Sequence, residues 1–352
     1  MKKIIFIAGA KRAYPRNSNA IKMLEKNFEV KEITSMAGSY FKRLPLLAIR
    51  FLFARKNVDA IYAGWLGHPF VIMAKLLTRR PIIFDVFVSL YDTICLERKA
   101  VSRDSLLGRF IFWIDKISCK WSDIIIVDTE QNADFFVQTF GVSPNKIRVF
   151  YVCADGVLFK PGNEKKEKKF VVGFYGSFIP AQGVEYIIRA AKILEDQPDI
   201  LFKLLGSGRD LLGAKDLAKR LGLNNVEFIS NFVPIEKLPD FISNADIGLG
   251  LFGVVEKTRR AVPNKAYEAV ACRKPVISAD TKAMREIFQD KYDILFCRAG
   301  DPQDLADKIV LLKNDEKLRN TIAENGYRTF QRVCDFDSRV KQLTGFVLES
   351  VK

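Results

Sequence analysis

The chain has 352 residues, 49% of them apolar and 28% charged, a globular composition too long for one typical hydrophobic core. It contains no run of about 18 uninterrupted apolar residues, which excludes a transmembrane helix on sequence grounds. The formal net charge is +15 and uneven: residues 1–160 carry 25 Lys/Arg against 14 Asp/Glu, the remainder 31 against 27. That asymmetry points to a polyanionic partner, either an anionic membrane face or a nucleic acid.

The start, Met1–Ala10, superficially resembles a signal peptide. Its apolar run is too short and Lys11–Arg12 follow at once, so a buried first strand is the expectation. Strand-like segments then recur at Lys3–Ala8, Phe28–Ile33, Val58–Ala63, Pro81–Val86, Asp123–Asp128 and Lys146–Tyr151, with helical patterns between most of them. Such alternation signals parallel α/β architecture. Tyr40–Lys56 holds five cations, no acidic residue and many bulky apolar side chains. It suits a membrane surface through snorkelling Lys and Arg, or a half-buried helix. His68, the only histidine, follows a strand in a Gly67–His68–Pro69 loop. It is a proton shuttle by its chemistry or a structural loop residue. Asp85 and Asp92 follow the next strand, where they bind hydroxyls or cap the following segment.

The pattern breaks around Asp155–Lys169, where Asp155–Gly156, Pro161–Gly162 and a charged run from Glu164 to Lys169 read as a linker. Alternation restarts with strands at Phe170–Tyr175, Leu201–Leu205, Val226–Ile229, Asp246–Leu251, Pro275–Ser278 and Ile294–Phe296. Helical patterns at Pro302–Lys313, Glu316–Phe330 and Asp337–Val351 close the chain. The expected fold is α/β: two doubly wound, Rossmann-like domains facing across a cleft. In such sheets ligands bind beyond the carboxyl ends of the strands. The expected boundaries are 1–158 plus a returning helix 336–352, and 169–332. The six cysteines are scattered without a C-x-x-C pair, which argues against a disulfide framework or zinc site and for reduced, cytoplasmic thiols.

Three loops of the second half invite a ligand. Gly176 and Gly183 bracket a βα loop, and Gly206–Ser207–Gly208 follows the next strand; glycines there admit close backbone approach. Lys257, Arg259 and Arg260 precede Val262–Glu268, which opens a helix with Pro263 at its start. Lys265 and Glu268, three apart, lie side by side on that helix. Cations massed before a helix N-terminus favour an anion: the amides and Lys265 would hold phosphate, and Glu268 would accept from ribose hydroxyls. The bland alternatives are tight βα turns, a solvated basic loop and an ordinary Lys–Glu pair.

Taken together, Tyr14–Pro15–Arg16–Asn17, Phe84–Asp85 with Ser89–Thr93, Tyr175–Gly176–Ser177–Phe178–Ile179–Pro180, Gly206–Ser207–Gly208 and Pro263–Asn264–Lys265 with Glu268 resemble the family-4 glycosyltransferases of GT-B fold. The closest likeness is to the subgroup with a Pro-Asn-Lys…Glu donor motif. The resemblance implies a nucleotide-sugar donor in the second domain, an acceptor in the first and a final helix crossing back. It implies donor contacts from Gly176, Gln182, Gly206, Gly208, Lys257, Asn264, Lys265 and Glu268, and acceptor contacts from Gly9, Arg16, Asp85 and Asp92. Glu268 matches the second glutamate of the family's E-x7-E motif; Arg260 stands where the first would be, and Gln182 near the usual lysine. Lys265 with Arg260 or Lys257 would then carry the diphosphate, and His68 is the acceptor-side catalytic candidate. Retention of configuration, no metal and no cofactor are implied. The acceptor is expected to be lipid-linked or an envelope polysaccharide precursor, met at the inner membrane face through residues 40–56. The rivals are a nucleotide-sugar epimerase of the same fold and a nucleic-acid-binding protein, for which no recognition signature appears.

Overall fold

The computed structural model describes residues 1–9, 14–34, 40–162, 168–231 and 233–351, excepting the side chains of 40–42. Lys11, Arg12, the Glu164–Glu167 part of the charged run and the Phe41 and Lys42 side chains therefore lie outside the described residues. The chain divides into two compact units, Met1–Tyr151 with Phe336–Lys352, and Val152–Asp335.

The first unit alternates β1 (Lys3–Ile7), α1 (Pro15–Leu24), β2 (Glu29–Ile33), α2 (Tyr40–Ala54), β3 (Ala60–Ala63), α3 (His68–Leu77), β4 (Ile82–Asp85), α4 (Leu106–Trp121), β5 (Ile124–Val127), α5 (Glu130–Phe140) and β6 (Ile147–Val149). All six strands are parallel, in the order β2-β1-β3-β4-β5-β6. Central strands such as Ile124–Val127 are buried on both faces, so they read as unbroken apolar runs rather than alternating ones. The edge strand β2 instead exposes charged Glu29 and Lys31, which discourages pairing with another chain. Leu47, Phe51, Phe70, Val71, Ala74, Cys119, Phe136 and Phe140 pack α2, α3, α4 and α5 on one face.

The second unit runs β7 (Phe170–Ser177), α6 (Val184–Ile193), β8 (Ile200–Ser207), α7 (Leu211–Arg220), β9 (Val226–Ile229), α8 (Leu238–Ser243), β10 (Ile247–Leu249), α9 (Glu256–Arg260), α10 (Asn264–Ala271), β11 (Val276–Ala279), α11 (Lys282–Arg285), β12 (Leu295–Cys297), α12 (Pro302–Asn314) and α13 (Glu316–Val333). Its six parallel strands are ordered β12-β11-β10-β7-β8-β9. The last helix, α14 (Phe336–Ser350), returns to the first unit, where Val340, Leu343 and Val347 are buried with Ile21 and Leu24 of α1. This is the doubly wound architecture expected, twice over.

Two expectations are corrected. Asp155–Lys169 is not a free connector along its length. The chain enters the second unit at Val152, Phe159 is buried, and the amides of Leu158 and Phe159 donate to the Asp155 carbonyl. Turn residues look alike whether the turn lies inside a unit or between two. The cysteines do not all remain free: Cys153 and Cys334 form a disulfide across 181 residues of sequence. Cys95, Cys119, Cys272 and Cys297 are free and buried.

Candidate functional site

In the second unit, the loops after β7, β8 and β10 are locked together by glycines. The register pairs Gly176 with Gly206 and Ser177 with Ser207. A side chain on Gly206 would collide with the Gly176 carbonyl, and one on Gly208 with the Phe178 carbonyl; their φ angles are +146° and +147°. The Phe178 amide donates to the Ser207 carbonyl at 2.8 Å, and the Asp210 amide to the Phe178 carbonyl at 3.0 Å. Farther along, Gly183 and Gly253 press on the 252–253 and 180–181 backbones respectively. The Phe252 amide donates to Gln182 (3.1 Å), and Thr258 Oγ1 to Ala181 (3.0 Å). These loops stand at the carboxyl ends of their strands, where doubly wound sheets bind ligands.

Helix α10 delivers its cation to this place. Pro263 is its N-cap and Asn264 its first residue, one position later than the sequence suggests, because Pro263 takes an extended conformation. Lys265 is 6% exposed. Its Nζ donates to Gln182 Oε1 and lies 3.7 Å from the centre of the Phe174 ring. A Cβ built on Gly176 would stand 3.0 Å from Nζ, so the missing side chain keeps open the space beside the ammonium. Gly176, Gln182 and Lys265 are thus brought together, while Gly206 and Gly208 shape the adjoining backbone.

The electrostatics are unfinished. Burial pushes Lys265 well below the ordinary lysine pKa, opposed only in part by the charge of Glu268. Glu268 is 8% exposed; burial raises its pKa to about 7 despite the neighbouring Tyr175 phenol and Lys265. The two side chains make no ion pair with each other: Lys265 turns to Gln182, and the Tyr175 phenol donates to the Lys265 carbonyl at 3.2 Å. A buried ammonium held by a neutral amide and a ring face carries an unmet demand for an anion.

The basic cluster before α10 is corrected in form. Lys257, Arg259 and Arg260 lie on the separate short helix α9, not in a loop. Arg259 meets Glu256 at 3.1 Å and is 65% exposed. Lys257 and Arg260 share that helix, and Arg260 stands at its carboxyl end.

In the first unit the acceptor candidates are mostly used up by one another. Arg16 grips Asp85 through Nε (2.8 and 3.0 Å) and Nη2 (2.7 Å), and the Tyr62 phenol donates to Asp85 Oδ2 at 3.0 Å. Both ions are under a tenth exposed. Asp85 and Asp128 overcome the desolvation of Arg16 and raise its pKa, while burial raises that of Asp128. The Gly9 carbonyl accepts from Arg43 Nη1 at 2.7 Å. Asp92 is 5% exposed at the start of an irregular helical turn, Asp92–Glu97, where its amide donates to Ser89 Oγ. Beside Arg16 sit the rings of Tyr14, Trp65 and Phe87, with Tyr14 and Trp65 centroids 3.7 Å apart.

His68 is corrected as the acceptor-side candidate. It is 1% exposed, with Nε2 2.8 Å from Asp115 Oδ1, and Asp115 is fully buried. Asp115 also accepts from Ser89 Oγ (2.7 Å) and the amides of Leu90 and Tyr91 (3.2 and 2.8 Å). The pair fastens α3 and the 89–91 turn to α4. Tyr62, Asp115 and Asp128 escaped sequence reasoning as site residues, and Tyr175 entered it only within the resemblance motif Tyr175–Pro180. Only Asp115 carried a signal, as a lone carboxylate in the buried stripe of an apolar helix. Among the described residues no group of three His, Cys, Asp or Glu side chains gathers as metal ligands would, and no helix is long and apolar enough to cross a membrane.

The two doubly wound units, with a returning final helix, have the GT-B fold. The chain superposes along its whole length on a crystal structure of Anabaena Alr3699/HepE in complex with UDP: TM-score 0.75, 17% identity, 98% of this chain and 99% of that one covered. Residues 158–329, the body of the second unit, match the family model of glycosyl transferases group 1. The chain is 31% identical over 153 residues to the Methanocaldococcus jannaschii protein named uncharacterized glycosyltransferase MJ1178, covering 44% of this chain and 41% of that protein. It is 29% identical over 225 residues to the Campylobacter jejuni N,N'-diacetylbacillosaminyl-diphospho-undecaprenol alpha-1,3-N-acetylgalactosaminyltransferase, covering 60% and 56%. It therefore spans about half the length of the curated relatives it matches.

Proposed function

We propose that this chain is a glycosyltransferase that moves a sugar from a nucleoside-diphosphate donor to an acceptor hydroxyl. One observation carries the reading: Lys265, buried and without a carboxylate on its Nζ, at the glycine-lined carboxyl edge of the second sheet. The family match of residues 158–329 supports it. The second unit takes the donor and the first the acceptor. Diphosphate oxygens replace Gln182 on the ammonium and meet the free amides opening α10. As the glycosidic C–O bond breaks, charge grows on the leaving phosphate, and the ammonium and amides stabilise it most there. Arg260 or Lys257 adds a second cation. Glu268, in place of a family E-x7-E pair, accepts from the ribose and gives up its proton more readily when those hydroxyls donate to it. The reading includes membership of the Pro-Asn-Lys…Glu subgroup.

The reading includes retention of configuration, a metal-independent step and no protein base, the leaving phosphate taking the acceptor proton. The acceptor is a lipid-linked saccharide, used at the inner face of the cell membrane. The Campylobacter relative, whose printed name carries a diphospho-undecaprenol group, and the positive surplus of residues 1–160 support this. Calorimetry with UDP, GDP and ADP on wild type, Lys265→Ala and Glu268→Ala tests the donor site. Both variants are expected to lose nucleotide affinity while keeping wild-type circular dichroism. Wild-type affinity in the Lys265 variant would remove the central claim.

A further inference from the structure

Among the described residues nineteen large apolar side chains are exposed, and nine of them belong to α2, α3 and α4. These helices lie on one face of the first sheet, with α3 packed against both of the others. Four form the start of α4: Leu106 (87% exposed), Leu107 (55%), Phe110 (54%) and Trp113 (49%). Positions 106, 110 and 113 fall on one stripe, and the Phe110 and Trp113 rings stack at 6.3 Å. On α2, Ile49 and Phe53 are exposed in the same way.

The start of α4 is firmly built. Ser105 Oγ accepts from the Gly108 amide (3.1 Å) and donates to the Ser102 carbonyl (2.7 Å), and any side chain at Gly108 would collide with that carbonyl. The leucines are therefore presented by a capped turn. On these three helices the exposed charge has one sign, whereas α5, which packs against α4, exposes Glu130 and Asp134. Helices α2 and α3 contain no Asp or Glu, and the only one in α4, Asp115, is fully buried against His68. Arg50, Lys75, Arg109, Lys116 and Lys120 are exposed on the same three helices. Asp104, just ahead of α4, is met by Arg103 at 3.6 Å.

We propose that this helical face docks onto an anionic lipid bilayer. Leu106, Leu107, Phe110 and Trp113 enter the headgroup region and the surrounding cations face lipid phosphate. Exposed Trp and Phe on helices whose exposed charges are all Lys and Arg is the composition that interfacial binding selects. A second copy of the chain fits less well, since a two-fold contact would set like charge against like. Sequence reasoning gave residues 40–56 either a membrane role or a half-buried helix; this proposal puts the anchor on α4. The inference deepens the membrane-face part of the proposed function and rests on it, while needing no nucleotide.

The test is co-sedimentation of the full chain with vesicles of phosphatidylcholine, alone or mixed with phosphatidylglycerol. Wild type is expected to bind the mixed vesicles and to be released by salt. Leu106→Gln combined with Phe110→Ser and Trp113→Ser is expected to reduce partitioning by about tenfold or more. Leu107→Gln alone, which leaves the rings in place, is expected to give a smaller loss. A blue shift of tryptophan emission on mixed vesicles, absent in Trp113→Phe, locates the insertion. No binding to the mixed vesicles overturns the proposal, as does binding that the triple variant leaves unchanged. So does a concentration-dependent dimer that the triple variant disperses in the absence of lipid binding. UDP titration of the same samples reads the donor site separately, so failure of either reading is visible without the other.

Discussion

Arg16–Asp85 in the first unit and Lys265–Glu268 in the second are both buried cation and carboxylate sets at the carboxyl edge of a parallel sheet, yet they are opposites. Arg16 and Asp85 satisfy each other through three contacts of 2.7–3.0 Å, and Tyr62 adds a fourth contact. Lys265 and Glu268 share one helix face without pairing, Lys265 meets the neutral Gln182, and burial works against the charge of both. A matched pair fixes a fold; an unmatched one is poised for something that brings the missing charge. The guanidinium fork suits the first task and the point-charge ammonium the second.

The contrast breaks most readily at Asp85. Asp85→Ala strands a buried guanidinium and is expected to destabilise the first unit by about 3–5 kcal/mol, read as an earlier transition in urea unfolding. A negligible shift would show that the pair is not matched. Next comes Lys265→Met, which removes a buried charge that lacks a counter-ion. It is expected to leave the melting temperature unchanged or slightly raised while lowering turnover by about 10²–10³-fold, the usual size for one stabilising donor. Equal losses of stability and turnover would make Lys265 structural, like Arg16.

A third, smaller effect concerns pH. Native Glu268 keeps its proton up to about pH 7, whereas the unfolded chain releases it near the ordinary carboxylate pKa of about 4.3. Between those values the unfolded state binds fewer protons, so this group makes stability fall as pH rises, and the fall is complete above about 7. Glu268→Gln is expected to remove that slope from denaturant titrations taken across the window. Arg259→Ala should do least. Its pair with Glu256 is exposed, so a change under about 1 kcal/mol and unaltered UDP affinity are expected.

Much of the architecture was legible because parallel strands buried on both faces are short apolar runs: every one of the twelve strands among the described residues overlaps a segment such as Val226–Ile229 read from sequence alone. The Lys265–Glu268 face was legible because residues three apart on one helix are neighbours. What required distant partners was not. Arg16 finds Asp85 across 69 positions, His68 finds Asp115 on another helix, and Cys153 finds Cys334 across 181. No local pattern announces such meetings. The Arg259 side chain shows the opposite error: a cation near a helix start invites an anion on paper, but an acidic residue one turn back already occupies it.

The cysteine pair has a topological consequence. Cys153 and Cys334 each stand one residue inside the points where the chain enters and leaves the second unit, Val152 and Asp335. While the bond is intact, 182 consecutive residues form a closed ring of backbone, so a single protease cut anywhere within it releases no fragment. Limited digestion run on paired gels, one lane with thiol and one without, turns that ring into a visible difference in band pattern.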